Sequence, residues 1–124
     1  MTRGEATAFA EEWIRIWNDR DLDAILSHYT EDAQFRSPRA ATVVGSPTLT
    51  GKAAMGAYWR AGIARITDLH FTLNYILWDE VRAELAIVYV ADINDRALRA
   101  CETFRFDSTG LVMEGEAMYG IAAR

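Results

Sequence analysis

The sequence predicts an α+β fold in which helices come first and an antiparallel sheet follows. In the first half of the chain, apolar residues recur at three- and four-residue steps, the spacing that gives a helix one buried side. From residue 69 onward the apolar period changes to two, which is typical of strands. Helices followed by consecutive strands within 124 residues indicate a single α+β domain over residues 1–124.

Composition and charge narrow the classes of partner. The chain is 51% hydrophobic and carries a net charge of −5 with no Lys/Arg cluster, so no nucleic-acid partner is expected. The N-terminus lacks the apolar segment of a signal peptide, and no run approaches the roughly 18 apolar residues of a membrane span, so no membrane partner is expected. The single cysteine, Cys101, excludes an internal disulfide framework and predicts a cytoplasmic protein.

Three helices are predicted. The first ends near residues 18–20, and Thr2 and Glu5 have the spacing of a capping box at its start. Its apolar stripe consists of Ala6, Phe9, Ala10, Trp13, Ile16 and Trp17. Asp21 is the predicted N-cap of a short second helix, which buries Leu22, Ile25, Leu26 and Tyr29. A third helix is predicted over residues 51–64, with Met55, Tyr58, Trp59 and Ile63 as its packing residues.

Strands account for most of the remaining chain. Residues 33–38 read as a short strand ended by Pro38, and residues 39–50 are expected to be mostly loop, forming the lid or rim of a pocket. Four consecutive strands are predicted over residues 69–78, 81–93, 97–106 and 111–119. The second of these is apolar on both faces, with Leu85, Ile87 and Tyr89 on one and Ala86, Val88 and Val90 on the other. Because the helices can cover only one face, a homodimer that packs sheet to sheet is expected.

One carboxylate interrupts an apolar strand face. In the strand over residues 97–106, Glu102 shares its face with Leu98, Ala100, Phe104 and Phe106. An ionised carboxylate is costly in an apolar setting, so it pairs with a cation, raises its pKa or faces a cavity. Glu102 is therefore the first candidate for an acid/base catalyst, and the alternative is a structural acid paired with an arginine or with the Trp13 indole.

Turn lengths predict what lies beside Glu102. A two-residue loop at Asn94-Asp95 places Ile87 opposite Glu102, and a four-residue loop over residues 107–110 places Gly115 on its other side. The glycine would leave an empty space next to the carboxylate. The predicted walls of this small apolar pocket are Leu85, Tyr89, Phe104, Met113, Ala117 and Tyr119.

Several motifs resemble those of the nuclear transport factor 2-like superfamily, whose fold is also called cystatin-like. They are the segments Trp17-Asn18-x-x-Asp21-Leu22-Asp23, Asp32-Ala33-x-Phe35-x-Ser37-Pro38 and Phe104-Arg105-Phe106 followed by Gly110. The nearest functional branches are the ketosteroid isomerases and the SnoaL-like polyketide cyclases. The resemblance implies a cone-shaped, strongly curved antiparallel sheet wrapped around the first helix, with a pocket at one end.

The resemblance also places candidate catalytic residues. The tyrosine of the isomerase's first helix falls on Trp13, its general-base aspartate on Ser37 and its protonated strand aspartic acid on Glu102. Since two of these three positions depart from the pattern, classical ketosteroid isomerisation is not expected. The epoxide hydrolases of this fold need an Arg/Asp network in the pocket that the sequence does not supply, and the dehydratases need an inward histidine, for which His28 and His70 are the candidates.

The remaining candidates are assigned to substrate binding. Tyr89 and Tyr119 are expected to line the pocket, and Trp17, Tyr58 and Trp59 are further candidates although their helical spacing favours core packing. The two histidines and Cys101 give no metal motif, so neither a metal nor a cofactor is expected. Two hypotheses for function follow: a cofactor-independent isomerase, cyclase or dehydratase acting on a small apolar carbonyl compound, or a non-catalytic ligand-binding or dimerisation module.

Overall fold

The computed structural model describes residues 1–123, in which four helices pack on one six-stranded sheet. The helices are α1 (Arg3–Asp19), α2 (Leu22–Leu26), α3 (Pro38–Val44) and α4 (Lys52–Ile63). The strands are β1 (Tyr29–Arg36), β2 (Thr48–Thr50), β3 (Leu69–Asp79), β4 (Glu84–Ile93), β5 (Arg96–Phe106) and β6 (Val112–Ala122). The predicted α+β class is confirmed, with one helix more than the three expected. No helix within residues 1–123 has the length and apolarity needed to cross a membrane.

Helix α1 forms as its spacing predicts. The capping box is present, since the Thr2 hydroxyl accepts from the Glu5 amide at 3.1 Å and the Glu5 carboxylate accepts from the Thr2 amide at 2.9 Å. All six residues of the predicted apolar stripe are buried. Trp13 shows what the stripe packs against, because its ring lies 5.8 Å from Phe71 on β3, 5.2 Å from Tyr89 on β4 and 5.5 Å from Phe104 on β5. The helix therefore lies across the inner face of the sheet.

The segment over residues 39–50 is not mostly loop, and that expectation is wrong. It contains helix α3 and strand β2. Ser37 caps α3 by accepting from the Arg39 amide at 3.2 Å, Pro38 occupies the first turn, and Gly45 ends the helix in the left-handed conformation at φ 80°. Such Ser-Pro and Gly signals mark the ends of a helix, so the proline that stops β1 also starts α3. Tyr29, assigned to the second helix from the sequence, begins β1 instead.

The sheet has the order β2-β1-β6-β5-β4-β3 and is curved but not closed. All neighbouring strands are antiparallel except β1 and β6, which run parallel with Phe35 opposite Gly115. The sequence predicted a purely antiparallel sheet. This one parallel pairing makes the sheet mixed instead. The predicted strand over residues 81–93 begins only at Glu84, because Val81 lies in the preceding turn with 97% of its surface exposed.

The two predicted registers around Glu102 have different outcomes. Asn94 and Asp95 form the two-residue loop with positive φ angles of 50° and 66°, and Ile87 lies opposite Glu102 as predicted. The second register is wrong, because Ala117 and not Gly115 lies opposite Glu102. The loop is longer than four residues: the Asp107 amide donates to the Leu111 carbonyl at 2.8 Å.

A β-bulge next to this loop also contributes to the difference between the predicted and the observed β5–β6 register. It lies between Arg105 and Phe106 and adds one residue to the one that the five-residue loop already adds, so that loop and bulge together move the β5–β6 pairing two residues along β6 from the predicted register. Because the shift is even, inward-facing residues stay inward, and Glu102 keeps its predicted face.

Candidate functional site

Glu102 is buried on the inner face of β5, with 5% of its surface exposed. None of the ion pairs formed within residues 1–123 involves it. The Trp13 indole nitrogen, the other partner considered for a structural acid, makes no hydrogen bond in the same part of the chain. Glu102 therefore does not end in a closed ion pair, and its carboxyl group faces a cavity.

Burial determines the protonation state of this carboxyl group. Desolvation raises the pKa of Glu102 to about 8, and a hydrogen-bonding interaction with the Tyr89 hydroxyl opposes this shift to a smaller extent. At pH 7 the side chain is therefore mostly a neutral carboxylic acid. In that form it can donate a hydrogen bond through its O–H and accept one through its other oxygen.

The cavity has a volume of about 220 Å³. A cavity of about 150 Å³ lined by aliphatic and aromatic side chains accommodates benzene, so this one has room for a somewhat larger molecule. Most of its wall is apolar and comes from α1, α4 and the strands. The lining residues are Trp13, Trp17, Phe35, Ser37, Arg39, Val43, Tyr58, Trp59, Ala61, Gly62, Ile63, Arg65, Ile66, Leu69, Phe71, Tyr89, Ile93, Glu102 and Tyr119.

Four hydroxyl-bearing residues among those described line the cavity together with Glu102, and they are Ser37, Tyr58, Tyr89 and Tyr119. Tyr89 and Tyr119 lie on the strands that flank β5, and burial raises the pKa of Tyr119 to about 12 and that of Tyr89 well above its ordinary value. Both tyrosines therefore keep their protons at neutral pH. Ser37 is 3% exposed, and its oxygen accepts from the Arg39 amide while the hydroxyl interacts with Tyr119. These hydroxyls can orient a ligand oxygen.

Two indole N–H groups beside the cavity lack hydrogen-bond partners. Trp13 and Trp17 both line the cavity, and the Nε1 atom of each is buried without an acceptor among residues 1–123. The two rings contact each other edge to face with centroids 6.2 Å apart. A buried N–H donor without an acceptor destabilises the protein through its uncompensated desolvation. A ligand acceptor that bound either nitrogen would remove this penalty.

Two arginines among the described residues line the cavity, and neither was predicted from the sequence to do so. Arg39 holds its guanidinium 4.2 Å from the centre of the Tyr119 ring, within the range of a cation–π interaction. Arg65 follows the end of α4 and is exposed. One signal was available for Arg39, because it directly follows the Ser37-Pro38 motif. For Arg65 nothing in the local pattern separates it from an ordinary surface arginine.

The structure brings eight of the twelve candidate site residues to the cavity and leaves four outside it. Those at the cavity are Trp13, Trp17, Ser37, Tyr58, Trp59, Tyr89, Glu102 and Tyr119. Those outside it are Leu85, Ile87, Phe104 and Gly115, and the two further predicted wall residues Met113 and Ala117 also lie outside. The roles assigned to all of these residues remain predictions.

Packing explains why the cavity does not lie next to Gly115. A Cβ atom at this position would lie 3.5 Å from the Phe35 ring and 3.6 Å from the Tyr29 hydroxyl, so aromatic side chains already fill the space. On the same side, Phe9 of α1 contacts Phe104 with ring centroids 5.2 Å apart. The cavity opens on the other side of Glu102, toward Tyr89 and Tyr119.

The remaining chemistry-bearing residues lie elsewhere. His28 packs edge to face on Phe9 at 5.3 Å, and burial lowers its pKa. Cys101 faces away from Glu102, as the strand alternation predicts, beside Val88 and Met118 on the outer face of the sheet. His70 is exposed on β3, and within residues 1–123 no group of three His, Cys, Asp or Glu side chains could hold a metal ion.

Comparison with known proteins agrees with this architecture. A SnoaL-like protein of unknown function from Burkholderia thailandensis is 36% identical, with a TM-score of 0.87 over 97% of this chain and 98% of the other. The epoxide hydrolase/cyclase-like enzyme SalBIII of salinomycin pyran-ring formation is 18% identical, with a TM-score of 0.75 over 95% and 92% of the two chains. A steroid delta-isomerase from Pseudomonas aeruginosa is 23% identical, with a TM-score of 0.71 over 94% and 80%.

The last two similarities concern the fold alone. No curated protein sequence matches the chain significantly. The sequence model of the SnoaL-like domain matches residues 10–115, which include residues 10–19 of α1, Glu102 and most of the cavity wall. The chain therefore belongs to the SnoaL-like domain family and has the nuclear transport factor 2-like fold.

Proposed function

We propose that this protein is a cofactor-independent acid/base enzyme of the isomerase, cyclase or dehydratase type, acting on a small apolar molecule that bears a carbonyl group. The observation that carries the proposal is a buried carboxyl group, Glu102, that is neutral at pH 7 and faces a mostly apolar cavity. A neutral acid stabilises negative charge as it develops on a carbonyl oxygen. The isomerase and cyclase-like enzyme among the structural relatives support this reaction class.

The proposed reaction needs one proton and no cofactor. Glu102 gives its proton to the carbonyl oxygen, and the carboxylate that results removes the α-proton of the substrate, whose C–H electron pair becomes the double bond of the enol. The acid is thereby regenerated. Trp13, Ser37 and Tyr119 act as orienting groups, since each places a donor or a hydroxyl at the cavity wall. We expect this chemistry to take place in the cytoplasm.

Exchange of α-protons tests the proposal without knowledge of the natural substrate. We expect the protein to accelerate deuterium incorporation into a bicyclic ketone, 2-tetralone, in D₂O, as followed by proton NMR. Glu102→Gln keeps the shape of the side chain but cannot transfer the proton, so the rate should fall by about 100-fold or more. Because the acid acts in its protonated form, the wild-type rate should also decline above about pH 8.

Glu80→Gln is a matched control, because it removes a carboxylate from the exposed turn between β3 and β4. It should leave the exchange rate unchanged. The proposal is wrong if Glu102→Gln exchanges as fast as the wild type. It is equally contradicted if carbon-13 NMR gives Glu102 a pKa at or below the ordinary 4.5.

One observation favours a second function, a non-catalytic ligand-binding module. Glu102 is the only carboxyl group among the described residues that line the cavity, and Ser37 stands where the resemblance places the general base. The Ser37 oxygen already accepts the α3 capping hydrogen bond. This alternative predicts that 2-tetralone binds but does not exchange, and that Glu102→Gln leaves its affinity unchanged.

We further propose that the protein is a homodimer formed through the outer face of its sheet. An apolar row crosses four strands there, in which Tyr75 lies opposite Val88, Val88 opposite Cys101, and Cys101 opposite Met118. Tyr75 and Met118 are 52% and 43% exposed, and nearby Leu77 is 60% exposed. Covering such a face needs a partner of matching shape and polarity, and a second copy provides one because a two-fold interface brings together identical surfaces.

Sedimentation velocity checks the dimer. The wild type should sediment as a dimer, and Met118→Glu should shift it to the monomer because it would bury a carboxylate from each copy in the apolar interface. Val81→Glu adds the same charge at an exposed turn outside the row and should have no effect. A wild type that stays monomeric at micromolar concentration would contradict the dimer.

A further inference from the structure

The charge of the cavity has the opposite sign to that of the whole chain. The protein has a net charge of −5, but the charged side chains among the described lining residues are two arginines and one acid. Glu102 is neutral at pH 7, so Arg39 and Arg65 leave the cavity with two positive charges. In an otherwise acidic protein, this concentration of positive charge at one cavity favours an anionic ligand.

Neither arginine is neutralised within residues 1–123. The ion pairs of that part of the chain engage other arginines, for example Arg36 with Glu116 and Arg105 with Glu114. Arg39 contacts an aromatic ring, which leaves its N–H groups available for a carboxylate or another oxyanion. The positive charge of Arg39 also reaches the cavity interior, because it lowers the pKa of both Tyr89 and Tyr119 against the effect of burial.

The buried acid and the two arginines of the cavity differ in their exposure to solvent. Glu102 is 5% exposed, whereas Arg39 and Arg65 are exposed to solvent. The rest of the wall is formed mostly by aromatic and aliphatic side chains such as Trp13, Phe71 and Ile93. A ligand that satisfies both ends has an apolar body with an oxygen acceptor at one end and an anion at the other.

We propose that the substrate of this cavity is an apolar carboxylate, whose anionic group is bound by Arg39 and Arg65 while its carbonyl-bearing body extends to Glu102. The inference rests on the proposed function, because it specifies the substrate class of the same site. The carboxylate would be bound at the solvent-exposed side of the cavity. An anion keeps part of its hydration there, so the free-energy cost of its desolvation on binding is small. The buried acid would then face the carbonyl and not the anion.

A matched pair of probes tests the anion preference. Calorimetric titration with 4-phenylbutanoate and 4-phenylbutanamide at pH 7 compares ligands that differ in charge but hardly in shape. We expect the wild type to bind the carboxylate about 20-fold more tightly than the amide. This preference should fall about fivefold in Arg39→Gln and about fivefold in Arg65→Gln, and it should disappear in the double variant. Amide affinity should stay constant throughout, which shows that the cavity remains folded.

Two further variants serve as controls for the anion preference. One removes a positive charge outside the cavity, and the other keeps the charge of Arg39 but replaces its guanidinium. Arg60→Gln removes an exposed arginine from the last turn of α4 that does not line the cavity, and it should retain the preference. Arg39→Lys keeps the charge and should retain most of it, whereas a purely structural role of the guanidinium on Tyr119 predicts the same loss as Arg39→Gln.

Each failure has a distinct meaning. Equal binding of the two probes to the wild type, or a preference that survives in the double variant, overturns the anion preference. Either result leaves the acid/base proposal standing, because the neutral probe still occupies the cavity. If neither probe binds, the anion preference is overturned as well, and α-proton exchange with Glu102→Gln decides the proposed function independently.

Discussion

At the scale of single residues, Glu102 makes the stability of the protein depend on pH. Its pKa is about 8 in the folded protein and 4.5 when exposed, because burial penalises the charged form. Between these values the native state holds a proton that the unfolded state has released. The free energy of unfolding therefore falls by about 1.4 kcal/mol per pH unit as the pH rises through this window. The contribution of Glu102 is most favourable below pH 4.5 and fully lost above about pH 8.

Urea denaturation of the wild type and of Glu102→Gln checks this dependence. Between pH 5.5 and pH 7.5 the wild type should lose roughly 3 kcal/mol relative to the variant, which carries no titrating group at this position. His28, whose pKa burial lowers, acts in the opposite direction below pH 6.5, but it cancels in the difference between the two proteins. A difference that does not change with pH would show that residue 102 is ionised in the native state.

At the scale of elements, Asn18 joins the end of α1 to the edge strand β3. Its side-chain amide donates to the Phe71 carbonyl at 3.0 Å, and its oxygen accepts from the Phe71 amide at 2.6 Å. Strand β3 ends the sheet, so no strand formed by residues 1–123 neighbours these Phe71 groups on that side. Asn18 occupies that place and satisfies both backbone groups.

Asn18→Ala should therefore destabilise the protein by about 2 kcal/mol, because it leaves one donor and one acceptor half-buried without partners. Asn18→Asp should cost less, since it keeps the acceptor. The neighbouring Asp19→Ala removes only an exposed ion pair with Arg15 and should change the free energy of unfolding by under about 0.5 kcal/mol. Denaturation midpoints together with hydrogen exchange of the Phe71 amide provide the measurement, and equal protection in Asn18→Ala would contradict the bridging role.

Individual elements were predictable where a local signal is complete. The apolar stripe and capping box predicted α1, and Asn94-Asp95 predicted the β4–β5 register, because a two-residue loop allows only one pairing. The β5–β6 register was not predictable, since it depends on hydrogen bonds that the Asp107 carboxylate makes to the Thr109 and Leu111 amides. Those bonds lengthen the loop, and a residue count cannot reveal them.

At the scale of the whole molecule, the position of the cavity depends on contacts between distant segments. Sequence alternation placed Glu102 on the inner face correctly, but the space beside it depends on where Phe9, Phe35 and Tyr29 pack. These residues belong to α1 and β1, and β1 joins the sheet through a parallel pairing with β6 that no local period encodes. The cavity arginines were missed for the same reason, because only the assembled fold brings Arg39 and Arg65 to one site.

The arrangement of the aromatic residues gives the molecule an internal optical reporter. Three of its four tryptophans, Trp13, Trp17 and Trp59, line the cavity, whereas Trp78 packs on Phe106 away from it. Replacement of cavity solvent by a ligand changes the polarity around three emitters at once and leaves the fourth as a constant background. Intrinsic fluorescence therefore senses occupancy of the unlabelled protein, so that a collection of candidate carbonyl acids can be screened before any reaction is known.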